Sequence, residues 1–195
     1  MRYPTLSYVF EQIGGRCAIY AVASVILEFT GKIISHKILN EWFLKAGGKE
    51  DTEARDGAIK LPQALKVVKD EGFIKDYKQS FINLTPNLQR SAKVMEKLEN
   101  AKQEMISVVS KPDVAVVIGI FYGNEGLKLD KYGAMIPSDW ARYHAIYVEG
   151  TKIVNGKQAW KCKNSWGKNW GKNGYFYIYM EDTLKVIREA NIVYK

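Results

Sequence analysis

From Cys17 to Phe29 the chain is apolar on nearly every side, interrupted only by Ser24 and Glu28. A helix with no polar face has nowhere to meet water, so the rest of the fold must be wrapped around it. At about a dozen residues it falls short of the roughly 20 needed to cross a bilayer, so it is expected to be a buried core helix, with Gly31 as its C-terminal stop. A chain of 195 residues, 47% hydrophobic and 26% charged, can supply that wrapping. The same composition excludes a disordered tail, a collagen-like repeat and a small disulfide-stapled scaffold.

The chain changes character near its middle. Before residue 85 it reads as helical: Ser35–Lys45 carries Ile38, Leu39, Trp42 and Phe43 at helical spacing behind a possible Ser35 N-cap, and Pro62–Glu71 repeats the pattern before Gly72. Ala46–Ala58, rich in glycine and charge, reads as loop. After an amphipathic helix over Asn87–Ser107 the second half reads as sheet. Val114–Ile120 is a β-branched run suited to a buried strand, and Ala145–Val154 and Gln158–Asn164 flank the hairpin signal Asn155-Gly156. Tyr175–Tyr179 alternates with a strand period. The expectation is an α+β chain, with a helical part over 1–84, a β-rich part over 85–195 and a cleft between them as the favoured place for a site.

The formal net charge of +8 could point to nucleic acid, but the lysines are scattered and read as a solvated surface. Only two cysteines, Cys17 and Cys162, and two histidines, His36 and His144, are present. No disulfide framework and no zinc-ligand spacing can be built from them. Any thiol–imidazole chemistry must use these few groups. Cys162 reads as a buried free thiol and His36 as a structural or solvated residue at a helix start.

Three segments carry chemistry. In Gln12-Ile13-Gly14-Gly15-Arg16-Cys17 a polar side chain and two glycines precede a thiol that opens a helix. The unsatisfied N–H groups and dipole of a helix N-terminus favour thiolate, and the glycines admit a substrate backbone. Alone, a cysteine on such an apolar helix is more often a small core residue. The second segment places His144 at the start of an apolar strand, after Arg142 and Tyr143. The third is Lys163-Asn164-Ser165-Trp166-Gly167, continuing through Trp170-Gly171 and Asn173-Gly174-Tyr175.

This third segment resembles the signature around the active-site asparagine of the papain-like cysteine proteases. In that family His and Asn follow the nucleophile by about 130–150 residues; here the separations are 127 (17 to 144) and 147 (17 to 164) residues. The resemblance implies a two-lobe papain-like fold, a helical lobe carrying a central buried helix and a β-barrel-like antiparallel lobe, with the site in the cleft between them. It implies Cys17 as nucleophile in an ion pair with His144, Asn164 orienting the imidazole, Trp166 covering that bond, and Gln12 donating to the oxyanion. Gly15, Gly57, Ala58, Arg142 and Tyr143 would line the substrate wall, Arg142 favouring small or acidic side chains. No cofactor and no metal are implied. The expected partners are a protein or peptide substrate and a protein inhibitor, with no nucleic acid or membrane, for a monomeric protein.

The chain also departs from the family pattern. Gly14 stands where a further cysteine is usual, Ala18 where an aromatic residue follows the nucleophile, and Asp56-Gly57-Ala58 where the substrate wall has paired glycines. Gln12 lies five residues before Cys17 rather than six, where Glu11 stands, so either can face the oxyanion. Two readings stay open: a cysteine peptidase, or a catalytically impaired papain-fold protein that binds a peptide or protein. The missing signal segment and disulfides favour a reducing compartment, although the mature fragment of a secreted precursor would look the same.

Overall fold

The computed structural model describes residues 8–50, 58–82 and 92–195. The helices α1 (Cys17–Thr30), α2 (His36–Lys45) and α3 (Leu61–Asp70) come first. They are followed by β1 (Asp76–Ile82), α4 (Ala92–Val108), β2 (Val114–Tyr122), β3 (Arg142–Val154), β4 (Lys157–Lys163), β5 (Tyr175–Tyr179), a short α5 (Thr183–Val186) and β6 (Ile187–Tyr194). The strands form one antiparallel sheet in the order β1-β6-β2-β3-β4-β5. It stays open at β1 and β5, so the expected barrel is only loosely approached.

The expectation of a helix with no exposed side is met by α1, which ends where Gly31 takes a left-handed φ of 70° and its N–H bonds to Leu27 O at 2.8 Å. Ala18, Val22, Val25 and Ile26 are buried with Leu39 of α2, Leu65 and Val68 of α3, and Ala115, Val117, Ala145 and Tyr147 from one face of the sheet. The other face sends Val116, Ile118, Ile120, Ile146, Val148 and Cys162 into a second core with Met105 of α4 and Val186 of α5. Being covered on both faces is why β2 reads as an unbroken apolar run rather than an alternating one.

Ser35 accepts from the Ile38 N–H and caps α2 as expected. Asn155 (φ 48°) and Gly156 (φ 74°) form the two-residue turn between β3 and β4. The helix expected over Asn87–Ser107 is described from Ala92, and the residues before it, like Gly57, lie outside the described segments. Neither β1 nor β6 is signalled by a β-period, because Lys78, Gln79, Arg188, Glu189 and Asn191 interrupt their apolar positions. They form because β6 fills the place between β1 and β2, where even Glu189 and Asn191 become buried. β1, late in the first 84 residues, thereby completes the sheet of the second part.

The loop from Asn164 to Tyr175 is held by Gly174, whose carbonyl accepts from the Asn164 N–H at 2.9 Å and whose N–H donates to Trp170 O at 2.7 Å. Its φ is +85°, and a Cβ there would stand 2.6 Å from Val9 Cγ1. Gly156 shares the positive φ (+74°) but has open space around it. Gly174→Ala is therefore expected to cost about 2–3 kcal/mol in urea unfolding and Gly156→Ala about 1 kcal/mol, the difference being the collision with Val9. Equal losses would show that the close approach to Val9 does not constrain this loop.

Candidate active site

The first turn of α1 meets β3 where the sheet passes from His144 to Ala145. Cys17 is 7% exposed, and the backbone N–H groups of Ala145, Ala18 and Cys17 itself lie near enough to its sulfur to favour the thiolate. These donors draw its pKa down, but burial acts more strongly and leaves it above the ordinary thiol value.

His144 is 2% exposed, and its Nε2 lies 2.7 Å from Asn164 Oδ1. The same Oδ1 accepts the Ser165 backbone N–H at 2.8 Å. An oxygen is therefore required at that position, since the reversed amide would set donor against donor. It follows that Nε2 carries the proton, and Nδ1 keeps the lone pair that can accept another. Burial pushes the imidazole pKa down to about 4, against a smaller opposing effect of the Asn164 bond. The preformed thiolate–imidazolium pair expected from the helix N-terminus is thus opposed by burial at both partners.

Aromatic rings enclose the imidazole. Trp166 stacks on it at 4.5 Å between centroids and 27° between planes, and Tyr122, at the end of β2, meets it edge-on at 6.5 Å. Trp170 braces Trp166 at 4.9 Å, and Phe176 braces Trp170 at 5.5 Å, both edge-on. Sequence reasoning singled out Trp166 but not Tyr122. The only trace of Tyr122 in the sequence is its place two residues beyond the apolar run of β2.

The segment before the nucleophile is joined to the asparagine loop by backbone bonds. The Gln12 N–H donates to Ser165 O at 2.7 Å and the Gly167 N–H to Phe10 O at 3.0 Å. Between them Glu11 pairs with Trp166. Gln12 Oε1 accepts the Ser165 hydroxyl at 2.6 Å, while its Nε2 donates to Gly14 O at 2.7 Å. One of the two Nε2 protons remains for another acceptor. The Glu11 carboxylate lies instead beside Gly167, 3.3 Å from where a Cβ on that glycine would be.

The remaining residues of the expected substrate wall are dispersed. Gly15 is half-buried in the loop, Ala58 is exposed ahead of α3, and Arg142 is exposed at the start of β3 near the Tyr122 hydroxyl. Tyr143 turns to the opposite face from His144. Its hydroxyl donates to the buried Glu189 at 2.7 Å, and its ring lies over Gly119, where a Cβ would stand 2.3 Å from the hydroxyl oxygen. Gln79 of β1 donates to the same carboxylate at 3.2 Å. Cys162 is a fully buried free thiol. The His36 ring lies outside this cluster, with Nδ1 2.6 Å from the Tyr20 hydroxyl. Among the described residues no three His, Cys, Asp or Glu side chains converge as a metal site would require.

The geometry agrees with comparisons to known proteins. Residues 63–194, more than half of the chain, match the model of the papain family cysteine proteases, a range that includes His144 and Asn164 but not Cys17. Mouse cathepsin F is 31% identical over 77 residues, which are 37% of this chain and 16% of cathepsin F. The viral cathepsin of Spodoptera litura multicapsid nucleopolyhedrovirus is 46% identical over 43 residues, 22% of this chain and 13% of that protein. The chain thus matches only a minor part of these relatives' length. In overall fold it is similar to bromelain from Ananas comosus, solved with the inhibitor E64, with a TM-score of 0.56, 14% identity, and coverage of 95% of this chain and 92% of that one. The SERA5 proenzyme of Plasmodium falciparum is similar at the same TM-score of 0.56 and 15% identity, with 97% of this chain and 62% of that one covered. A helix-first, sheet-second chain whose asparagine loop is bonded back to the segment before its buried thiol is therefore a member of the papain family of cysteine proteases.

Proposed function

We propose that the protein hydrolyses peptide bonds through a thioester formed on Cys17. The observation that carries this reading is the bond from His144 Nε2 to Asn164 Oδ1, which leaves Nδ1 as the basic atom, on a strand against which the first turn of α1 with Cys17 is packed. The thiol proton passes to His144 as sulfur attacks the substrate carbonyl. The oxyanion is met by the Cys17 N–H and the second proton of Gln12 Nε2. His144 then protonates the leaving amine, and water, deprotonated by the same imidazole, cleaves the thioester and frees Cys17. Asn164 holds the ring by a neutral bond, which permits the imidazolium to form without fixing it there. Gly15, Gly57, Ala58, Arg142 and Tyr143 are proposed to border the bound peptide.

A second reading, a papain-fold protein that binds peptides without cleaving them, is favoured by the burial that raises the thiol pKa and lowers the imidazole pKa. The two separate cleanly. A peptidase cleaves members of a fluorogenic peptide-amide library, and iodoacetamide modifies Cys17 faster than a model thiol, both effects being lost in Cys17→Ala and the second also in His144→Ala. Peptide binding with no cleavage, and alkylation no faster than the model thiol, would leave only the second reading.

Gln12→Ala is expected to lower kcat by about 10²–10³, the usual loss of one oxyanion donor. Alkylation of Cys17, which forms no oxyanion, should hardly change. A parallel fall in both rates would assign Gln12 to holding the thiol instead.

Acidity provides a further test. The folded chain refuses a proton at His144 that the unfolded chain accepts between pH 6.5 and about 4. Stability therefore rises with pH across that window and is lost on acidification, by up to about 3 kcal/mol from this group. Urea unfolding at pH 7 and pH 4 should show a smaller acid loss in His144→Gln than in the unaltered protein. A larger loss in the variant would mean that the resting imidazole is already protonated, as in a preformed ion pair.

A further inference from the structure

Arg16 occupies the N-cap of α1 but supplies no capping bond. An ordinary cap such as Ser or Asp would accept the N–H of the second or third helical residue, here Ala18 or Ile19. The Ala18 N–H favours the Cys17 thiolate, and a conventional cap would engage that N–H instead. Arg16 turns the other way. Its Nε donates to Asn40 Oδ1 of α2 at 3.0 Å, its Nη1 donates back to Ile13 O at 2.9 Å, and its guanidinium carbon lies 4.9 Å over the Phe43 ring. Asn40 is braced in turn, donating through Nδ2 to Glu50 Oε1 at 2.9 Å. The loop closes tightly on the guanidinium: a Cβ on Gly14 (φ +61°) would stand 3.2 Å from Nη1.

We propose that Arg16 is a positioning residue for the reaction, a clamp that ties the loop from Ile13 to Cys17 to the face of α2. The clamp fixes the Cys17 sulfur and the backbone N–H that meets the oxyanion, while leaving the helix N-terminus uncapped for the thiolate. The inference rests on Cys17 being the nucleophile. The planar fork does the work, because one group must serve Asn40, Ile13 and the Phe43 face at once, which an ammonium cannot do. A cavity of about 230 Å³ lined by Ile13, Arg16, Tyr20, His36 and Asn40 adjoins the fork, so a lysine chain can be seated there without overpacking.

The test compares Arg16→Ala, Arg16→Lys, Asn40→Ala and the double variant Arg16→Ala/Asn40→Ala on one fluorogenic peptide amide, with rates normalised to titrated thiol. Arg16→Ala is expected to lower kcat by about 10–100-fold with KM little changed, the signature of a misplaced reacting group. Arg16→Lys should fall with it, and the double variant should be no slower than Arg16→Ala, since both remove one clamp. Full kcat in Arg16→Ala or in Arg16→Lys overturns the proposal. Should Arg16→Ala fail to fold, Asn40→Ala decides it by the same kcat criterion. An independent readout is amide hydrogen exchange in a Cys17→Ala background, where loss of Arg16 should speed exchange of residues 13–19 about tenfold while the sheet stays protected. Unchanged exchange there overturns the clamp. An unaltered protein that cleaves no peptide would sink the peptidase reading separately, and exchange would then decide whether the clamp exists.

Discussion

α1 has no side that can be left in water, and the rest of the fold is arranged to meet that demand. Helices α2 and α3 cover it from one direction, and β2 and β3 present Ala115, Val117, Ala145 and Tyr147 from the other. Small residues along α1, among them Ala18, Ala21 and Ala23, are fully buried and let its backbone approach its surroundings closely. The first turn of α1 packs against β3, which leaves the Cys17 thiol near the backbone of Ala145, the residue after His144. The thiol and the imidazole belong to separate halves of the chain.

Burial then sets the electrostatic terms. It disfavours both the thiolate and the imidazolium, and it acts on both partners more strongly than their hydrogen bonds do. A carboxylate in the place of Asn164 would hold imidazolium more firmly, but it would also add a buried charge and hinder return of the proton. The neutral amide, oriented by the Ser165 N–H, fixes the tautomer of a ring on which Trp166 is stacked, at little electrostatic cost. The surroundings of both groups favour their neutral forms.

Much of this was legible in the sequence because local chemistry and global fold agree there. The all-apolar helix, the Ser35 cap, the Asn155-Gly156 turn and the buried β2 run each state their structure within a few residues. What stayed hidden depends on partners distant in the chain. β6 carries Glu189 and Asn191 into the interior, and no periodicity announces a strand whose polar residues find places only after β1 and β2 have flanked it. The place of the Tyr143 ring is likewise set at a distance, since alternation along β3 and the gap at Gly119 turn it toward Glu189 of β6. The ambiguity between Glu11 and Gln12 could not be resolved by spacing. The backbone bonds to Ser165 and Gly167 set Gln12 against the Ser165 hydroxyl and leave Glu11 beside Gly167.

Those same bonds, Gln12 to Ser165 and Phe10 to Gly167, close a loop of about 150 residues. During synthesis Cys17 is made about 150 residues before the segment whose Asn164 bonds to His144, and the two cannot pair until both have been made. The cluster around His144 is therefore assembled only once the loop after Asn164 has docked against the segment before Cys17. Long-range backbone pairing, rather than any local motif, is what finally sets these side chains against one another.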